Sequence, residues 1–111
     1  MGLGLIVLAA AKKAQAGAKL NELVDFVRKS LSRSHLIIYF DTLKYLAKGG
    51  RIGKAQGLFG AMLMVKPILT VKDGEIAPLT RVRSLAVGMD YIYRAVAGLS
   101  PVEALSVEHT T

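Results

Sequence analysis

The tripeptide Lys72-Asp73-Gly74 constrains the fold of this chain more than any other feature of its sequence. It separates two runs of strand-forming residues, 68–71 and 75–82, and Asp-Gly marks a tight hairpin turn. An antiparallel pair is therefore expected there. Pro78 interrupts the second run and has no N–H to give a neighbour, so it must sit at an edge or a bulge.

The rest of the chain reads as alternating helix and strand. Residues 3–16 begin apolar and turn amphipathic, with Lys12, Lys13 and Gln15 on the wet side and Gly17 as a stop. Asn21 is the expected N-cap of a second helix ending near Ser32. Leu23, Val24, Val27 and Leu31 recur in it at the spacing of a buried face. Residues 35–40 are aromatic and β-branched, a buried strand of about six residues. Asp41 or Thr42 caps a short helix over 43–48, closed by Gly49-Gly50. Another helix is expected over 55–64, with Pro67 beyond its end, and a further one over 84–97, ended by Gly98. Residues 105–109 alternate like a last strand. This order gives an α+β fold: a small mixed or antiparallel sheet with a β-hairpin, packed by helices, in a single domain over 1–111.

Composition narrows the function. Apolar residues make up 52% of the chain. A unit of this size buries roughly 60–70% of the surface its unfolded chain exposes. The apolar excess must therefore meet a ligand, a second domain, a partner subunit or a membrane. The apolar run at residues 1–11 falls short of the ~20 residues that span a bilayer. It lacks a basic leader, although Ala14-Gln15-Ala16 has the look of a cleavage site, and it is read as a buried helix. With no cysteine there is no thiol nucleophile and no thiolate metal site, and the chain fits a reducing cytoplasm.

Signatures of catalysis are missing. His35 and His109 stand in no ligand spacing, and Glu108 and His109 would point to opposite faces of a strand. The loop from Gly50 to Lys54 fails the phosphate-loop pattern at both ends, where Lys48 and Ala55 stand. No catalytic residue, metal site or cofactor is expected, and the protein is not read as an enzyme. Net charge +7 favours an anionic partner. Arg51, on a glycine-bearing loop ahead of a helix, suits an anion site, or else a Gly-Gly cap followed by a solvated arginine. Arg81 and Arg83 share one strand face. Seven Lys or Arg lie between residues 28 and 54 against Asp41 alone, yet no helix carries a continuous basic stripe.

The stretch Phe40-Asp41-Thr42-Leu43-Lys44-Tyr45-Leu46-Ala47-Lys48-Gly49-Gly50-Arg51-Ile52 resembles the "DTLxYLxKGGRI" signature of the DegV family of bacterial fatty-acid-binding proteins. Lys66-Pro67-Ile68-Leu69 with Asp73-Gly74-Glu75-Ile76 is similar to that family's "KPIL…DGEI" hairpin. Arg81-Val82-Arg83-Ser84 resembles its "VRT/S" strand end, and Met1-Gly2-Leu3-Gly4 its entry into a helix. The resemblance implies the second domain of a two-domain carrier, one that holds a long-chain fatty acid between its domains and presents the carboxylate to a fatty-acid kinase. It implies that the hydroxyls of a first domain, and a histidine from a C-terminal segment, hold the head group. Neither has a match here, so the chain reads as a truncated second domain. Ile52, Leu58, Met62, Leu63 and Ile68 become the expected tail contacts, with Arg51 and Arg83 at the anionic, kinase-facing mouth. The alternatives are a ligand-free module that self-associates through its apolar face, and a basic nucleic-acid-binding protein.

Overall fold

The computed structural model describes residues 2–61 and 65–110, which gather into two compact units. One comprises Met1–His35 with Pro101–Thr111, the other Leu36–Ser100.

The second unit is built on the expected hairpin. Strands β2 (Lys66–Lys72) and β3 (Glu75–Val82) pair antiparallel, with Lys72 opposite Glu75 and a two-residue turn between them. Asp73 and Gly74 both take positive φ, 53° and 79°, the requirement of the tight turn whose twist matches its strands. Pairing runs Leu69↔Pro78 and then Ile68↔Thr80, so Leu79 is an extra residue and β3 bulges there. Pro78 thus lies on an edge strand beside a bulge, where it removes no ladder bond. A third strand, β1 (Ile38–Tyr39), pairs antiparallel with β2, giving the order β1-β2-β3.

Helices cover both faces of this sheet. On the face of Leu69 and Ile76 lie α3 (Lys44–Lys48) and a 3₁₀ helix (Gly53–Ala61). Leu43, Ala55 and Leu69 are fully buried there, with Phe40, Leu46, Ile52, Leu58 and Ile76 packed around them. On the face of Tyr39, Ile68 and Val82 lies α4 (Leu85–Ala97), whose N-cap Ser84 accepts a hydrogen bond from the Val87 N–H. Gly88 lets α4 come down on the sheet: a Cβ at that position would stand 2.7 Å from the Tyr39 ring.

The first unit is a helical hairpin of α1 (Gly2–Gln15) and α2 (Leu20–Ser32). The ring of Phe26 on α2 holds the Lys13 ammonium of α1, 4.9 Å from its centroid. Arg33 ion-pairs with Glu103 at 2.6 Å.

Seven sequence expectations change. The first helix, read as buried, buries Ile6 alone, and Leu3, Val7 and Leu8 stay exposed because a single helix neighbour covers one seam. The short helix is capped at Leu43, not at Asp41 or Thr42, because the backbone is already helical there. The second helix is capped by Lys19, not Asn21, because the Glu22 carboxylate accepts the Lys19 backbone N–H at 2.7 Å and fixes the start two residues earlier. No residue of α2 is buried, since one helix neighbour covers one seam only. The strand expected over 35–40 shrinks to two half-buried residues, with ladder bonds to β2 on one side alone. The helix expected over 55–64 is a 3₁₀ helix begun at Gly53; glycines at 53, 57 and 60 weaken α-helical propensity. Residues 105–109 form no strand, because alternation yields one only where a neighbouring strand offers its N–H and C=O groups.

Candidate functional site

Each unit offers one surface to consider. In the helical hairpin, α1 and α2 leave an open groove of about 440 Å³ between them. Leu3, Ile6, Val7, Ala10, Ala11 and Ala14 form one wall, and Leu23, Val27 and Leu31 the other. No polar residue is among these nine. A volume of this size falls within the ~300–1,000 Å³ of ligand clefts. Of its lining residues Ile6 is buried, whereas Leu3 and Leu31 remain 72% and 57% exposed.

The walls follow from helical spacing: residues 3, 7, 10 and 14 recur on one stripe of α1, and 23, 27 and 31 on one stripe of α2. The alanines keep the groove open, because a methyl wall cannot close against Leu23 and Val27. Both stripes are visible in the sequence, but their spacing reads as an ordinary buried face. The sequence reading therefore missed the groove.

The second surface is the loop after α3. Its parts are tied into the fold one by one. Thr42 accepts the Lys44 backbone N–H at 3.2 Å just ahead of the helix, whose N-cap is Leu43. Gly50, at φ +67°, turns the chain out of it, and the Arg51 backbone N–H returns to the Leu46 carbonyl at 2.9 Å. The Arg51 guanidinium donates to the Gly49 carbonyl at 3.1 Å. Ile52 joins the core, and Gly53 lays its backbone against Ile76. Lys54 pairs with Glu75 at 3.4 Å. The Ala55 N–H is spent on the Ile52 carbonyl, so it does not face out toward an anion. The loop's geometry is that of a Gly-Gly cap.

Asp41 forms a node beside this loop. It accepts the Tyr39 hydroxyl at 2.9 Å, and its carboxylate and carbonyl meet the Lys66 ammonium at 3.4 and 3.1 Å. Burial pushes the Tyr39 phenol above its ordinary pKa of 10.0, and the Asp41 bond and charge push it in the same direction.

The expected site residues are thus dispersed. Ile52 and Leu58 are partly buried against Leu43, Ala55 and Leu69, and Ile68 is fully buried beneath α4. Met62 and Leu63 lie outside the described residues. Arg83 is exposed just past β3, with no ion pair or hydrogen bond among the described residues. Gly53, two residues from Arg51, rests on Ile76, and the strand from Ile76 to Val82 spans roughly 20 Å. The two arginines therefore flank opposite ends of β3. Among the described residues no three His, Asp or Glu side chains converge to hold a metal, and no helix is long and apolar enough to cross a membrane.

Comparison with known proteins matches this geometry to a family. A family described as "Uncharacterised protein, DegV family" matches residues 1–104. A DegV domain-containing protein of Streptomyces coelicolor is 42% identical over 112 residues, covering 98% of this chain and 40% of the relative. One from Clostridium perfringens is 45% identical over 96 residues, covering 86% of this chain and 34% of the relative. Among solved structures, "Fatty Acid Binding of a DegV family Protein from Thermus thermophilus" aligns with a TM-score of 0.80 at 31% identity, over 90% of this chain and 36% of that one. A DegV lipid binding protein of Thermotoga maritima shares the fold, with a TM-score of 0.67 at 21% identity, over 90% of this chain and 34% of that one. The chain spans about two fifths or less of the length of each of these relatives.

Proposed function

The chain belongs to the DegV family, and from that premise we propose that it supplies the tail-side part of a fatty-acid carrier working in the cytoplasm. The likeness to the Thermus fatty-acid-binding structure carries this reading. The physical chemistry agrees with it. Burying a methylene contributes ~0.8 kcal/mol, so a sixteen-carbon tail gains about 10 kcal/mol gross from an apolar surface. This chain exposes such a surface on α1 and α2. The carboxylate is held by the part of the carrier that lies beyond the matched region, and it is offered there to a fatty-acid kinase. The carrier binds and presents; it does not catalyse. Arg83, exposed and unpaired among the described residues, is the better placed of the two arginines to meet a phosphorylated head group or the kinase. Arg51 reaches that role only by leaving the Gly49 carbonyl.

Native mass spectrometry of a complete carrier containing this chain tests the reading. A discrete added mass of one long-chain fatty acid is the expected result, with weak uptake or none by this chain alone, whose tail-side surface leaves the carboxylate without partners. A complete carrier that holds no lipid and takes up none overturns it. A carrier that appears only as lipid-free oligomers favours a self-associating module instead, the reading suggested by exposed Leu3, Leu31 and Val107.

A further inference from the structure

We infer that residues 105–109 are a donor strand, and that their acceptor is the free edge of β1 in a second copy of this chain, each copy giving its strand to the other. Two segments of the chain have the pattern of a ladder strand and lack the ladder. Residues 35–40 are aromatic and β-branched, yet only Ile38 and Tyr39 pair, and with β2 alone. Residues 105–109 alternate apolar and polar, yet make no backbone hydrogen bond among the described residues. Leu105 and Val107 stand on one side of that segment, 60% and 82% exposed.

Hydrogen bonding on β1 tells which of its groups are free. The Phe40 N–H goes to the Pro67 carbonyl on β2 at 3.1 Å, and successive residues of a strand bond to opposite sides, so Ile37 and Tyr39 turn their N–H and C=O groups outward. The far edge of the sheet is protected against such an addition, because β3 carries Pro78 and a bulge. Residues 36–40 hold no proline and no charge. Both faces of that segment are apolar, with Leu36, Ile38 and Phe40 on one and Ile37 and Tyr39 on the other, so Leu105 and Val107 meet apolar neighbours in either register. A second copy is the occupant because a chain's own segment is gathered with its helical hairpin, where Arg33 holds Glu103 at 2.6 Å, and pairs with no strand. With donor and acceptor on one chain the contact is reciprocal. Two copies therefore close a two-fold pair and leave no free strand to recruit a third.

Analytical ultracentrifugation of the full chain, joined to amide hydrogen exchange, tests the pairing. The mass is expected to rise from one copy to two with concentration. Amides in 105–109, with those of Ile37 and Tyr39, should slow at least tenfold as it does. Ladder bonds come from alternate residues, so of Ser106→Pro and Val107→Pro one deletes an N–H that the new ladder needs. Both positions make no backbone bond within one copy, so neither change disturbs the monomer. At least one of the two should weaken the pair tenfold or more, whereas Val107→Ile, which keeps a β-branched side chain, should change it less than twofold. A chain that stays monomeric up to millimolar concentration overturns the inference. So does a pair in which 105–109 exchange as freely as in the monomer, or one that survives both prolines; such a pair rests on another surface, that of exposed Leu3 and Leu31 on the helical hairpin. No arm of this test involves lipid, so its failure leaves the carrier reading standing.

Discussion

The two units of this molecule both draw on apolar-rich sequence and use it differently. In Leu36–Ser100 a three-stranded sheet has helices on both faces, and Leu43, Ala55, Ile68 and Leu69 are completely removed from water. In the helical hairpin, two well-patterned helices meet along one seam, and α2 buries no residue at all. An apolar stripe states which side of an element avoids water. It does not state whether a partner exists to receive that side. Three layers enclose a residue from both directions, whereas two helices leave a groove.

Truncation at the two places should separate them most widely. Leu69→Ala leaves a cavity in a site walled by Leu43 and Ala55, and should cost about 2–5 kcal/mol in urea unfolding followed by circular dichroism. Leu31→Ala removes a side chain that is already 57% exposed and should stay within about 0.5 kcal/mol. Comparable losses at the two positions would mean that α2 has a core partner after all, and the contrast between the units would fail.

Glycine substitutions sharpen the same contrast with effects of opposite sign. A Cβ at Gly53 would stand 2.7 Å from the Ile76 carbonyl oxygen, and its φ of +51° is strained for any L side chain. The obstacle is strand backbone and cannot swing aside. Gly53→Ala should therefore destabilise the protein by about 2 kcal/mol, combining the left-handed conformation with the close contact. Gly4 lies inside α1, with nothing within 4 Å of where a Cβ would be. Gly4→Ala should stabilise by about 0.5–1 kcal/mol, because alanine loses less backbone entropy in a helix. Thermal melts of the two variants should move in opposite directions. A neutral Gly53→Ala would show that the loop does not need its close approach to β3.

What the sequence revealed, and what it hid, follows the same division between local and non-local causes. The Asp73-Gly74 turn, the Pro78 edge position, the Ser84 start of α4 and the Gly98 stop are each decided within a few residues, and each was legible. The length of β1 was not, because a strand extends only as far as its neighbours pair with it. Nor was the fate of residues 105–109, which carry the right alternation and find no ladder among the described residues. The signature over 40–52 was legible as a family mark, and the fold uses its residues structurally. Its Thr42 accepts the Lys44 N–H, its Leu43 caps the helix and fills the core, and its Arg51 folds back on Gly49. The groove of α1 and α2 was hidden for the opposite reason: its residues look like ordinary core.

The smallest expected effect concerns how firmly the sheet unit holds the end of β1. All four tyrosines lie in that unit, so phenolate absorbance reports on it without interference from the helical hairpin. Tyr39 is held above its ordinary pKa, first by burial and then by its bond to Asp41 and the charge of that carboxylate. Above pH ~10 the unfolded chain gives up this proton while the folded chain keeps it, so the unfolded state binds fewer protons there and stability must fall as pH rises. Below that pH the two states bind the proton equally and Tyr39 contributes no slope. Asp41→Asn removes the charge and leaves the burial, so Tyr39 should then titrate lower than in the parent, yet still above 10. The stability lost near neutral pH should be small, below about 1 kcal/mol, because both the hydrogen bond and the Lys66 pair are exposed. A Tyr39 that titrates identically with and without the Asp41 charge would mean that burial alone sets its pKa. The Asp41 node would then be a surface contact with no hold on β1, and this end of the sheet would be as open as the helical hairpin.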